Sequence, residues 1–573
     1  MRSLRSSITA VLIVILGLHA SAFASSGSVQ IPDAMKQHVP DDTVLLVYTP
    51  SIQKLLDAVG KTAASIDPQM AMLTQMVPMM TMSMFQRTGN KPAAMDMNEA
   101  AMLAISPGDK GPDGDPAMTV MVGFKGGADG VKMSGDDQMR VEPVAGSNMA
   151  MITNAASNTK RGGATTIFNN IPHGEISIAF DQEKFVKIYG PMVMEMMTDM
   201  AAMENQPGKP ADPQMQIMQA QMKQSMNQIK AFMDMFKSMD MAMTFDNGTV
   251  NTTVRWIPTD DSEKASGSAD LAKHADVMVD GSFVSMVMSK SAVECMISMQ
   301  QSYTDSTATT GFQKAMDAIY VIARNSVREM EGSTGFSYGL NDKGIWALQL
   351  MKVQSTEAYL ADISEAMKKL DDSDIGFSVS NLQLLDGKGA GYTVRLDMDK
   401  MMNSLGYGAM LQENDMKQLA AIVNAAMGGD VGMQIRYFHD GNRIAMVAGR
   451  NGKMIGRAKQ LLRGEGNGAP NTLTSLATTA EGSPTMVMAL DIRSMTGDLL
   501  SFLHTVPAIS SEMADMPLSL PEGDPIEMTA TCTSRTQGGQ CVITFDIGPF
   551  SHMMEALEEA EKAKQTKQAA MAN

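Results

Sequence analysis

The chain is poor in the residues that build reactive sites. Among 573 residues there are 3 Cys, 7 His and 2 Trp, and aromatics make up only 5%. Apart from one histidine in the first twenty residues, His38, His173, His274, His439, His504 and His552 stand singly in the sequence. No H-E-x-x-H, H-x-x-E-H or paired-cysteine spacing occurs, so the ligand sets of zinc hydrolysis are not to be found. Positive charge is also short. Lys plus Arg total 46 against 63 acids, a net charge of -17, which removes the basic footprint that nucleic-acid binding needs. Long apolar runs are missing too: the longest, from Ile8 to Leu18, is little more than half of the roughly 20 residues a membrane span requires. No integral membrane segment is therefore expected after removal of a leader.

What is present describes an exported, folded protein. Hydrophobic residues make 44% and charged residues 19%, enough apolar surface for a globular chain. The length exceeds what one core can serve. Arg2 and Arg5, the apolar run and Ala22-Phe23-Ala24 before Ser25 read as a signal peptide over residues 1-24, cleaved between Ala24 and Ser25. A periplasmic or extracellular location follows, and no cysteine stands at the cleavage point to carry a lipid. Cys532 and Cys541 flank a glycine-bearing turn between alternating segments, so they are expected to cross-link a hairpin. Cys295 sits in a helical pattern as a spare thiol.

Two local patterns recur. Short apolar strands run straight into helix-start residues: Val44–Tyr48 before Thr49-Pro50, Ile176–Phe180 before Asp181, Phe283–Met288 before Ser289, Tyr392–Leu396 before Asp397, and Met486–Leu490 before Asp491. Hairpin turns carry glycine at Gly146, Gly248, Gly344, Gly441 and Gly538, at intervals of 102, 96, 97 and 97 residues. Together they predict an α+β fold of about five tandem strand-helix-hairpin modules of near 100 residues, with mostly antiparallel sheets. The boundaries are 25-165, 166-265, 266-372, 373-470 and 471-573, the last with a C-terminal helix. Gly/Pro/Asp-rich stretches such as 107–116, 206–213 and 517–525 read as loops. Asp371-Asp372-Ser373-Asp374 lacks the glycine and closing glutamate of a calcium loop and reads as a solvated turn.

Methionine is the compositional oddity: 60 residues, against 34 leucines, with no leucine between Leu103 and Leu271. Thioethers suit Cu(I), and Met79, Met80, Met82, Met84 and Met192, Met194, Met196, Met197 could gather several sulfurs. Yet Met215, Met218, Met222, Met226 and Met233 follow helical spacing, and Met286/Met288 and Met486/Met488 alternate as in strands. Methionine thus goes wherever a large apolar side chain is wanted, and the packing reading is the primary one.

Motif matches are few. Gly335-Phe336-Ser337-Tyr338-Gly339 has the G-x-S-x-G form but leads into a hairpin where a nucleophile elbow needs a helix. Ser51-Ile52-Gln53-Lys54 matches S-x-x-K with no K-T-G or S-D-N elsewhere, so Ser51 is a helix-start serine. Gly387–Gly391 and Gly464–Gly468 lack phosphate-loop spacing.

The segment Val39-Pro40-Asp41-Asp42-Thr43-Val44-Leu45-Leu46-Val47-Tyr48 and its following helix resembles the opening of exported bacterial proteins in domain-of-unknown-function families, which begin with a Pro-x-Asp-Thr strand. The resemblance covers about 30 residues and implies export and an α+β build, without a site. The functional expectation is a non-enzymatic envelope protein that binds or scaffolds an envelope protein or surface component, with no cofactor. The alternatives are methionine-based Cu(I) storage and, more remotely, a serine hydrolase using Ser337.

Overall fold

A computed structural model describes residues 28–66, 95–107, 116–126, 134–135, 140–154, 160–191, 236–259, 271–304, 311–371, 376–404, 413–466, 471–509 and 520–549, with short breaks inside some of these ranges, and isolated positions beyond them. The leader with Ala24 and Ser25, both methionine clusters and the Met215–Met233 stripe lie outside the described residues.

All five strand-to-helix junctions form. Ser289, Asp397 and Asp491 accept hydrogen bonds from the backbone N–H groups of Ala292, Lys400 and Ser494 at 3.1 to 3.2 Å, and Asp181 accepts from Lys184 at 3.0 Å. Each thereby satisfies an orphan donor of a first helical turn. In the first junction the cap moves two residues on: Ser51, not Thr49, accepts from Lys54 N–H at 3.2 Å. The five glycine turns also form, with positive φ at Gly146, Gly248, Gly344, Gly441 and Gly538.

The strands are β1 (Leu45–Thr49), β2 (Met95–Asp96), β3 (Ala101–Ser106), β4 (Ala117–Phe124), β5 (Ser134–Gly135), β6 (Arg140–Val144), β7 (Met149–Thr153), β8 (Ile176–Asp181), β9 (Phe236–Asp246) and β10 (Thr249–Pro258). They continue as β11 (Val284–Ser289), β12 (Met330–Asn341), β13 (Gly344–Val353), β14 (Phe377–Asn381), β15 (Ala390–Leu396), β16 (Met433–Asp440), β17 (Arg443–Ala448), β18 (Ser483–Asp491), β19 (Glu527–Arg535) and β20 (Gly538–Asp546). The chain divides into two compact units, and the C-terminal residues Arg535–Ser551 belong to the first.

In the first unit the pairing order is β5-β6-β7-β4-β3-β1-β8-β9-β10-β20, antiparallel throughout. One face carries Leu46, Tyr48, Met102, Ala104, Met121, Met151 and Ala179, closed over by Ile31, Met35, Val39, Ile167 and Ile171. In the second unit the order is β14-β15-β16-β17-β13-β12-β11-β18-β19, again antiparallel. Leu348, Leu350, Val287, Val447 and Val487 form its main core with helices Gly452–Leu462 and Thr472–Thr479. On the other face Met288 and Met330 pack with Val293, Ile297 and Val327 of the helices Lys290–Thr304 and Gly311–Glu329.

This layout overturns the tandem modules. A module of 100 consecutive residues would close its own sheet, but β1 pairs with β8, β10 with β20, β11 with β18 and β13 with β17, so each sheet is assembled from several of the expected segments. The even spacing has a different origin. The run β7-β4-β3-β1-β8-β9 and the run β17-β13-β12-β11-β18-β19 place their strands in the same chain order. The corresponding turn glycines Gly146 and Gly441 are 295 residues apart, and Gly248 and Gly538 are 290 apart. Three marker intervals fill one such distance, giving about 97 each.

The first residue of the acidic cluster also has a structural role. Asp371 follows the helix Thr356–Leu370, and its carboxylate accepts a hydrogen bond from Val379 N–H at 2.8 Å. Because Leu382 N–H bonds to Gly391 next to the β14–β15 ladder, Val379 points its N–H to the opposite edge of β14, which no strand among the described residues pairs with. An open edge is a template for pairing with another chain, and an acidic residue on it blocks that pairing. Asp371→Ala is expected to self-associate with rising concentration in sedimentation velocity, while Asp371→Asn, which keeps an acceptor oxygen, sediments as the wild type does. Equal sedimentation of all three would show that Asp371 does not guard this edge.

Candidate functional site

The densest buried polar chemistry among the described residues lies in the first unit, on the same face as its core. The register places Ala179, Asp240, Arg255 and Gln540 directly opposite one another across β8, β9, β10 and β20. Opposite residues of an antiparallel ladder share a face, so Asp240, Arg255 and Gln540 continue the row that begins with Leu46 and Ala179. They are 6%, 5% and 4% exposed. The Arg255 Nε donates to Gln540 Oε1 at 3.0 Å, and another guanidinium nitrogen donates to Ser28 Oγ at 3.4 Å.

Burial raises the Asp240 carboxyl from its ordinary 3.8 to about 7; the Arg255 cation works against this, and the Asp181 carboxylate adds to it. Burial likewise pulls Arg255 down to about 10, helped by the Arg535 cation and opposed by Asp240. The arrangement can hold or release a proton near neutral pH inside the sheet. Arg255 ties β10 to β20 and to Ser28, and the arrangement presents little surface to a substrate. The sequence carries a signal for it: in Met239-Asp240-Met241-Ala242-Met243 the charge alternates with methionine, which puts Asp240 with Ala242 on the face opposite the three thioethers.

Ser337 is not at an elbow. It lies inside β12, 0% exposed, and its hydroxyl donates to Val277 O at 2.7 Å while pairing with Ser285 Oγ at 2.7 Å. Ser285 is its direct cross-strand neighbour on β11. Ser51 caps its helix and donates to Met97 O at 3.4 Å. Of the histidines, His274 Nδ1 lies 2.9 Å from Ser333 Oγ, a contact the sequence did not foretell, but Ser333 is 0% exposed. His38 has its pKa lowered by burial and by Arg161, against Glu142. Cys532 and Cys541 are joined in a disulfide, as expected, and Cys295 keeps its thiol in the helix Lys290–Thr304. Among the described residues there is no group of three His, Cys, Asp or Glu able to hold a metal ion, and no helix long and apolar enough to cross a membrane.

No family model matches the chain, and no curated protein matches it. Solved structures with some similarity include three crystal forms of TP0453. Form III is 11% identical with a TM-score of 0.23, covering 49% of this chain and 98% of TP0453. Form IV is 8% identical with a TM-score of 0.22, covering 49% and 95%, and form I is 9% identical with a TM-score of 0.22, covering 50% and 97%.

Proposed function

We propose that this is an exported, non-enzymatic envelope protein that binds or scaffolds an envelope protein or surface component through its sheet-and-helix surfaces. The observation that supports this reading most is where the chemically capable side chains are placed. Ser337 and Ser285 hydrogen-bond across β11 and β12, Ser51 and Asp491 cap helices, and Arg255 and Gln540 join two strands. Each holds the fold. The leader-like segment and the cross-linked Cys532 and Cys541 suit an oxidising compartment.

Fractionation of cells expressing the full chain, with in-cell crosslinking, tests location and association. Recovery in the envelope fraction, crosslinked to a discrete partner, supports the proposal, and retention in the cytosol with the leader uncleaved overturns it. For the hydrolase alternative, fluorophosphonate is expected to leave Ser337 unlabelled. Ser337→Ala should instead destabilise the chain by about 1 to 3 kcal/mol in urea unfolding, because Val277 O and Ser285 lose a buried partner. Covalent labelling of Ser337 would establish a reactive serine. For the Cu(I) alternative, native mass spectrometry in reducing buffer reads bound ions directly. Several ions, lost when Met79, Met80, Met82 and Met84 become Leu, would replace the scaffold reading with metal storage.

A further inference from the structure

The methionines of the first unit differ widely in their access to solvent. Met102, Met121, Met149 and Met151 point to the core face and are 0 to 6% exposed. Residues on the other face alternate with them, and one cross-strand row there reads Met118, Ile105, Leu45, Phe180, Met239, Trp256. Met118 is 37% exposed, and Met239, Met241 and Met243, successive residues on that face of β9, are each partly exposed. In the second unit Met330 and Met351 are sealed, Met286 and Met486 are partly buried against the core, and Met296, on the helix Lys290–Thr304, is 40% exposed.

Leucine in place of methionine would keep the apolar volume at lower side-chain entropy cost. What leucine cannot supply is a sulfur lone pair that accepts oxygen.

We propose that Met118, Met239, Met241, Met243 and Met296, accessible methionines among the described residues, are sacrificial acceptors for two-electron oxidants such as hypochlorous acid, while the sealed methionines keep the fold. In each event the thioether sulfur attacks the oxygen of HOCl and forms an S–O bond as the O–Cl bond breaks. Sulfur loses two electrons and becomes the sulfoxide, chloride leaves with the electron pair, and a proton passes to water. A sulfoxide is polar, so the division of sites decides the outcome. Oxygen added at an exposed sulfur stays hydrated, and oxygen added at Met102 or Met121 would place an unpaired dipole in the core.

The test is titration of the full chain with hypochlorous acid, read by peptide mass spectrometry for site and by circular dichroism for the thermal midpoint. The expected result is sulfoxide at Met118 and Met296 at least about tenfold faster than at Met102, Met121 or Met151, with the midpoint unmoved while the accessible class fills. A methionine-containing bystander peptide in the same tube should be spared in proportion to the sulfoxide formed. Met239→Leu/Met241→Leu/Met243→Leu, which keeps apolar volume on β9, should fold with the same midpoint and take up three fewer oxygens before the midpoint falls. Sulfoxidation at equal rates in both classes, a midpoint that drops with the first oxygens, or an unspared bystander would overturn the proposal.

Discussion

Arg255→Met is expected to lower the stability of the chain by about 1 to 3 kcal/mol, read as a shift of the urea unfolding midpoint at pH 8, because it removes the donor to the buried Gln540 and takes the cation away from the Asp240 carboxyl. The β10–β20 pair keeps its backbone ladder and loses this side-chain link on the core face, together with the contact to Ser28. The cost should shrink at pH 5, where Asp240 is protonated and no bare charge remains. The wild type carries a related dependence. Folding raises the Asp240 pKa from 3.8 to about 7, so the folded state binds the proton more tightly than the unfolded one. The stability tied to this group is fully present below about pH 4 and is lost as pH rises through about 7. Each tenfold gain in proton affinity corresponds to ~1.4 kcal/mol, so the window is worth up to about 4 kcal/mol. Asp240→Asn has no proton to release, and its midpoint should fall less than that of the wild type between pH 4 and 8. Parallel pH profiles for the two proteins would show that Asp240 does not titrate in this window.

Gly339→Val is the second change with a large expected effect. Both tryptophans of the chain lie over a glycine of the neighbouring strand: Trp346 faces Gly339 across β12 and β13, and Trp256 faces Gly539 across β10 and β20. A Cβ on Gly339 would stand 2.2 Å from Trp346 Cζ2, and one on Gly539 would stand 2.2 Å from Trp256 Cζ2. The Trp346 ring is 2% exposed and packs with the main core of the second unit, so it cannot yield without disturbing Leu348 and Val447. Overpacking of this kind costs about 3 kcal/mol. In a Trp256→Phe background, tryptophan emission reports the one remaining ring, and it should shift to the red as Trp346 is pushed toward water. Adding Trp346→Ala to Gly339→Val should cost less than the sum of the two single changes, because the alanine makes room for the valine. Additive losses would mean that the two positions do not share the space.

The local grammar of the chain was legible in its residues. Asp181, Ser289, Asp397 and Asp491 cap helices because a short oxygen-bearing side chain after an apolar strand is the right acceptor for a first turn. The five glycines take positive φ because the two-strand turns there need a backbone without a Cβ. Cys532 and Cys541 could be paired from spacing alone. The Ser337 motif could be set aside for a similar reason, since the turn after it belongs to a hairpin and not to a helix.

The amino-acid sequence by itself determined where strands stop, where helices start and which turns reverse the chain. Those outcomes depend on neighbours a few residues away. Only the tertiary structure decided that β1 lies beside β8 and β10 beside β20, that Arg255 reaches Gln540 across 285 residues of chain, and that Asp240 is buried where its carboxyl holds a proton near neutral pH. The physical reason is that an alternating strand advertises which face it wants buried but not which partner will supply its backbone hydrogen bonds. Any strand of the right length and pattern can do so, and the choice is made by the packing of all of them at once.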